Sequence, residues 1–168
     1  MNKKSHILIS RYLSQDLSSP LSRKLISFGS ILPDLMVYTF IRKHSFLTRR
    51  TMLYHLINSV KRSRFSPFSF IRLGCILHYT ADFFTAPHNT KKRVPLNKHL
   101  AYEELLHHKM KSFLSENTFS KEKVDDAFKY ICALHADYKK QPFSAENDCR
   151  YIFNACSAIY LSLCYKNP

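Results

Sequence analysis

The stretch SFIRLGCILHYTADFF, Ser69–Phe84, is apolar on almost every side when wound at helical spacing. A helix of that kind is buried on most of its faces, so the stretch predicts the centre of a helical fold. Its exceptions carry the chemistry. His78 and Asp82 are four residues apart and share one helix face. Gly74 lies one turn earlier on the same side and lets another element approach closely. An ionised carboxylate in such surroundings must be paired or bound to a metal, because burying it alone costs more than folding can return. The nearest charge on the helix, Arg72, falls off that face. A private His–Asp hydrogen bond in the core is the plainer alternative.

Working outward, helical spacing recurs along the 168 residues, and only two glycines, Gly29 and Gly74, occur. Tight strand turns draw on more glycine than that. The chain therefore reads as all-α, a single-domain multi-helix bundle over residues 1–168. Predicted helices run from Ser5 to about Gln15, from Pro20 to a stop at Gly29, over Leu47–Lys61, and from Leu96 to Leu114. Pro33 is expected to restart a short helical or irregular piece, DLMVYTFI. Two further helices, near Lys121–Lys139 and over Ala145–Cys164, show ordinary three-four spacing and read as packing elements.

The net charge is +14. The first hundred residues hold all of that excess, since their only acids are Asp16, Asp34 and Asp82, whereas the remainder is balanced. A basic half suits a polyanionic partner such as a phosphodiester, a nucleic acid or an anionic membrane surface, and a solvated basic face is the bland reading. Five cysteines without a CxxC pair give no disulfide framework, and Cys149 and Cys156 sit on one helix face as small buried thiols. With no apolar run near membrane-spanning length and no cleavage-site pattern after MNKKSHILISRYLSQD, the expected location is cytoplasmic, with peripheral membrane contact as an extension.

A second polar pair bears on the first. His99 and Glu103, in HLAYEEL, repeat the i, i+4 arrangement on the next long helix, and His88 lies between the pairs in PHN. Two antiparallel helices joined by a short loop bring such pairs into one interhelical space. Imidazole nitrogen with carboxylate oxygen is a ligand set that zinc accepts. Upstream, Asp34 follows the other glycine in FGSILPD, His44 stands in IRKHSF, and His6 in KSHILIS is a further candidate with a plain helix-start role as its alternative.

This order of residues resembles the zinc-dependent phospholipase C family. The likeness spans roughly residues 5–105 and rests most heavily on LGCILHYTADFFTAPHN and HLAYEEL. It implies the helical fold of the phospholipase C and zinc nuclease type and a cluster of up to three zinc ions. Carried over by motif, Asp34, His44, His78 and Asp82 would hold one ion, and His88, His99 and Glu103 a second. His6 with a shared Asp82 would help hold a third, completed in the family by a processed N-terminal residue. This chain has five residues before His6 and no tryptophan, so two zinc ions are the expectation and the third is the extension.

Such a centre suits phosphoester hydrolysis, in which paired metals clamp substrate oxygens and activate water. Asp34 is the candidate general base where it is not engaged as a ligand. The expected substrate is a phosphodiester, with phospholipid first. A nuclease or other phosphoesterase on a related scaffold, or a non-catalytic basic module with structural metals, are the alternatives. His55, His107, His108 and His135 have no place in the motif, although His107 lies one turn after Glu103 and could support it.

Overall fold

The structure is a computed structural model, and it describes residues 1–35, 45–63, 66–90, 94–116 and 123–164. Among these the chain forms eight helices and no strand: α1 (Lys3–Ser14), α2 (Pro20–Leu35), α3 (Phe46–Arg62), α4 (Pro67–Phe83), α5 (Ala86–Asn89), α6 (Leu96–Glu116), α7 (Ala127–Tyr138) and α8 (Ala145–Cys164). Local chemistry sets several of the starts. Asn2 caps α1 by accepting from the Ser5 N–H, Ser66 caps α4 by accepting from the Ser69 N–H, and Asp126 caps α7 by accepting from Phe128 and Lys129. Pro67 occupies the first turn of α4, where its missing N–H leaves no bond unmade.

Helix α4 is the central element, packed against α1, α2, α3 and α8. From Leu73 onward nearly every residue of it is buried, as its all-round apolar character predicts. Helix α8 packs as its spacing predicts and is a second central element: Tyr151, Ile152, Phe153, Ala155, Cys156, Ile159 and Tyr160 are all buried. Its buried face is wider than its spacing suggests because α4, α6 and α7 all pack on it.

Helix α2 does not stop at Gly29, as its sequence suggested, but continues through Gly29 and Pro33 to Leu35. Gly29 is not a helix end; it is where α2 touches α4. A Cβ built on Gly29 would lie 2.1 Å from the Ile71 carbonyl oxygen, and one on Gly74 would lie 2.2 Å from the Ile26 oxygen. The two glycines thus let two backbones cross in direct contact, and that packing outweighs the roughly 1 kcal/mol of helix propensity each one forfeits. Pro33 sits in the last turn, where the helix forgoes only the bond to the Gly29 carbonyl.

The long helices bring their ends together. The Phe46 ring at the start of α3 meets Phe83 at the end of α4, edge to face at 5.3 Å. Beyond Phe83 the chain folds into the single turn α5, held by Asn89 Nδ2, which donates to the Phe83 and Thr85 carbonyls at 2.8 and 3.0 Å. The start of α1, the end of α2 and the start of α6 complete this end of the bundle. No described helix is long and apolar enough to cross a membrane.

Candidate metal centre

Helix α4 delivers His78 and Asp82 to this end, and α1 delivers His6 beside them. All three are buried. The His78 Nδ1–H donates to the Ser30 carbonyl at 2.9 Å, across the glycine crossing. With its proton on Nδ1, a neutral ring turns its Nε2 lone pair toward Asp82 Oδ2 at 3.4 Å and Asp34 Oδ1 at 3.7 Å. His6 stacks on His78 with ring centroids 3.9 Å apart, and its Nε2 lies 3.4 Å from Asp82 Oδ1. Neither ring nitrogen of His6 has a hydrogen-bond partner among the described residues. Lone pairs and carboxylate oxygens facing one another in a buried site form an arrangement that a divalent cation completes.

The second pair stands alongside. His99 Nε2 is 2.9 Å from Glu103 Oε1, and the His88 and His99 rings lie 5.5 Å apart. Within each of the groups His6–His78–Asp82 and His88–His99–Glu103, one donor atom per residue lies within 4.8 Å of the others. Asp82 joins the groups: its Oδ2 faces His78, while its Oδ1 faces His6 and, at 4.0 Å, His88 Nε2. Asp34 is at the rim, with its side chain 24% exposed. His44 lies outside the described residues, as does the basic run Lys91–Arg93.

The N-terminal amine enters the same space, despite the absence of tryptophan. The Met1 amine is 2.8 Å from Asp82 Oδ1, 3.0 Å from Glu103 Oε1 and 3.2 Å from His88 Nε2. Burial works to lower its pKa, but the charges of Asp82 and Glu103 prevail and raise it to about 10. A cation therefore stands between the two carboxylates. Asn2 and Ser5 support the approach: the Ser5 Oγ–H donates to Asn2 Oδ1 at 2.8 Å, and His107 Nδ1 lies 3.0 Å from Ser5 Oγ. The sequence suggested His107 as a support for the site, and it supports this segment rather than Glu103.

Burial is the main cause that holds both His6 and His88 down to about 3; the neighbouring His78 adds to this at His6 and the Met1 ammonium at His88. Both rings are therefore neutral, the form that binds metal. An unfolded chain protonates them near 6.5 and the folded one does not. Their contribution is thus present above that pH and is lost as pH falls toward 3. Chelator-treated protein is expected to lose on the order of 5 kcal/mol between pH 7 and pH 4, read as a falling urea midpoint. A midpoint unchanged over that range would contradict the buried neutral rings.

One residue of this end gave no signal in the sequence. Asp148, on α8, is fully buried, and its carboxylate accepts from the Ala86 N–H and from the Tyr102 and Tyr138 hydroxyls, each at 2.7 Å. It ties α5, which carries His88, to α6, α7 and α8. Burial raises its pKa, which marks the carboxylate as costly and dependent on those three donors. Asp148→Ala leaves buried donors unsatisfied and is expected to cost about 3 kcal/mol. Zinc affinity is expected to fall with it, because the His88 turn loses its anchor; equilibrium unfolding and zinc titration check both. His135 packs its ring on Phe46 at 4.1 Å, His108 pairs with Glu104 at 3.5 Å on the surface, and His55 is exposed, so all three stand outside the clusters.

A family model described as zinc-dependent phospholipase C matches residues 5–150. The match runs well beyond residue 105 and takes in α6, α7 and the Asp148 anchor on α8. No curated protein and no solved structure gives a significant match.

Proposed function

The chain belongs to the zinc-dependent phospholipase C family, and on that premise we propose that it is a metal-dependent phosphoester hydrolase acting on a phosphodiester, with phospholipid as the first substrate class. The observation that carries this reading is the convergence of His6, His78 and Asp82 with His88, His99 and Glu103 around one carboxylate.

In this reading Asp34, His44, His78 and Asp82 hold one zinc ion and His88, His99 and Glu103 a second. His6 and Asp82, beside the Met1 amine, are the donors for a third. Bound zinc supplies Lewis acidity toward phosphoryl oxygens and makes a nearby water a nucleophile near neutral pH. The protein's own part is positioning and proton handling. The Ser30 carbonyl fixes the tautomer of His78, and burial keeps His6 and His88 unprotonated. Glu103 stays ionised because the bond from His99 and the Met1 ammonium outweigh its burial and lower its pKa to about 2. Asp34 is the partly exposed carboxylate of the set, with its side chain 24% exposed, and where it is not engaged as a ligand it is the group to accept a proton from the attacking water.

The test is a panel of chromogenic phosphodiesters, phospholipids and single-stranded nucleic acids, run on zinc-replete protein whose metal content has been measured. About two zinc ions per chain with turnover of phospholipid supports the reading. Turnover of nucleic acid alone would make the chain a nuclease. Bound zinc without turnover of any substrate would leave a metal-stabilised binding module.

A further inference from the structure

We propose that the end of the bundle remote from the clusters holds a second binding site, a cavity that takes a small neutral molecule with an apolar body and one hydroxyl group. The site is independent of the hydrolase reading, and neither needs the other. The cavity lies among the α1–α2 turn, α2, α3, α4 and α8 and measures about 340 Å³. Ser69 of its wall stands in the first turn of α4, roughly 20 Å along the helix axis from Asp82. An apolar void of about 150 Å³ takes up benzene, so this one has room for a ring that carries a short chain.

The walls define the guest. Leu17, Val60, Phe70, Leu73 and Leu163 supply apolar surface, which suits an apolar body. Among the described residues no charged side chain lines the cavity. Asp16 and Arg72 are close by in sequence, but Asp16 Oδ1 accepts from the Tyr160 hydroxyl at 3.1 Å and Arg72 Nη1 donates to Ser63 Oγ at 3.3 Å. The starts of α2 and α4 open beside the cavity, and both carry caps. Ser19 Oγ accepts from the Ser22 N–H at 3.3 Å, and Ser66 Oγ from the Ser69 N–H at 3.1 Å, so these N–H groups are already satisfied. An ion entering here would lose its hydration without meeting a counter-charge, which excludes a charged guest.

One polar group of the wall is left over. Ser22 is only 8% exposed, and its hydroxyl makes no hydrogen bond among the described residues. Buried hydroxyls are ordinarily bonded, and leaving one unmet carries a desolvation cost. The neighbouring Ser69 is different, because its Oγ–H donates to the Ser66 carbonyl at 2.6 Å. A guest hydroxyl that reaches Ser22 supplies the missing partner, while the rest of the molecule covers the apolar wall. A neutral alcohol meets both conditions; a hydrocarbon meets one, and a carboxylate fails on charge.

Heteronuclear NMR titration of the full zinc-loaded chain tests the proposal with three probes of similar shape: 2-phenylethanol, ethylbenzene and phenylacetate. The alcohol is expected to bind at one saturable site, shifting signals of the cavity residues, and phenylacetate to bind at least about tenfold more weakly. Ser22→Ala keeps the cavity and removes its hydroxyl. It should weaken 2-phenylethanol by roughly threefold to tenfold and leave ethylbenzene as tight or tighter. Ser22→Leu fills the cavity with its own side chain, so it should abolish binding of the alcohol and raise the thermal midpoint. Absence of saturable binding, binding that survives in a folded Ser22→Leu, or a preference for phenylacetate overturns the proposal. An equal loss of alcohol and ethylbenzene in Ser22→Ala overturns it as well, and that comparison decides even where Ser22→Leu fails to fold.

Discussion

Asp82→Asn is expected to remove zinc and hydrolysis together. The substitution keeps the shape of the side chain and removes its charge, so folding is disturbed as little as the site allows. Asp82 stands between the two groups, its Oδ2 at 3.4 Å from His78 and its Oδ1 at 3.4 Å from His6 and 4.0 Å from His88. An amide oxygen there is a poorer metal donor, and the amide nitrogen turns an N–H toward atoms that a cation would otherwise join. Loss of even an outer supporting contact at a metal site costs about 10–100-fold, so loss of the shared carboxylate should cost more than about 100-fold in zinc retention. Turnover should fall to background with it.

The same change weakens the metal-free protein. The Met1 ammonium, 2.8 Å from Asp82 Oδ1, then keeps Glu103 at 3.0 Å as its charged partner among the described residues. Removing one member of a buried ion pair costs about 3–5 kcal/mol, and the remaining carboxylate should hold the loss near the lower figure. Metal content by mass spectrometry and unfolding of chelator-treated protein measure the two effects separately. Unchanged zinc content in Asp82→Asn would show that Asp82 does not join the groups through metal.

The second large effect is expected at the glycine crossing. Alanine at an exposed helical position is ordinarily stabilising relative to glycine by about 0.5–1 kcal/mol. At Gly74 the sign should reverse, because the added Cβ would lie 2.2 Å from the Ile26 oxygen and 2.6 Å from the Ser30 nitrogen. These are backbone atoms of a helix and cannot swing aside, so α2 and α4 must separate. A loss of about 3 kcal/mol or more is expected for Gly74→Ala, and a similar one for Gly29→Ala, which meets the Ile71 backbone. The separation also pulls Ser30 and Asp34 away from His78, so zinc affinity should fall along with the urea midpoint. A rise in midpoint in either variant would refute the close crossing.

Much of this molecule was legible in the sequence because helical spacing is a local property. The apolar run around Ile71–Phe84 implied a buried helix, and α4 is buried along most of its length. The pairs His78–Asp82 and His99–Glu103 implied shared faces, and both are found so. The helix stop expected at Gly29 misread a contact residue as a terminator, because a glycine looks the same in sequence whether it ends a helix or admits a neighbour. The packing role of α8 was legible too, but three-four spacing shows one apolar face and does not show how many helices will cover the rest. Asp148 was invisible because its partners Ala86, Tyr102 and Tyr138 come from three other elements.

By itself, then, the sequence determined the helical class, the burial of the central helix and the two histidine–carboxylate pairs, all set by contacts within a few residues. Tertiary structure alone decided that the Met1 amine lies between Asp82 and Glu103 and that Asp148 anchors the turn carrying His88. Those outcomes depend on two backbones crossing at Gly29 and Gly74 and on buried charges finding partners far along the chain. Neither condition is written in the spacing of neighbouring residues.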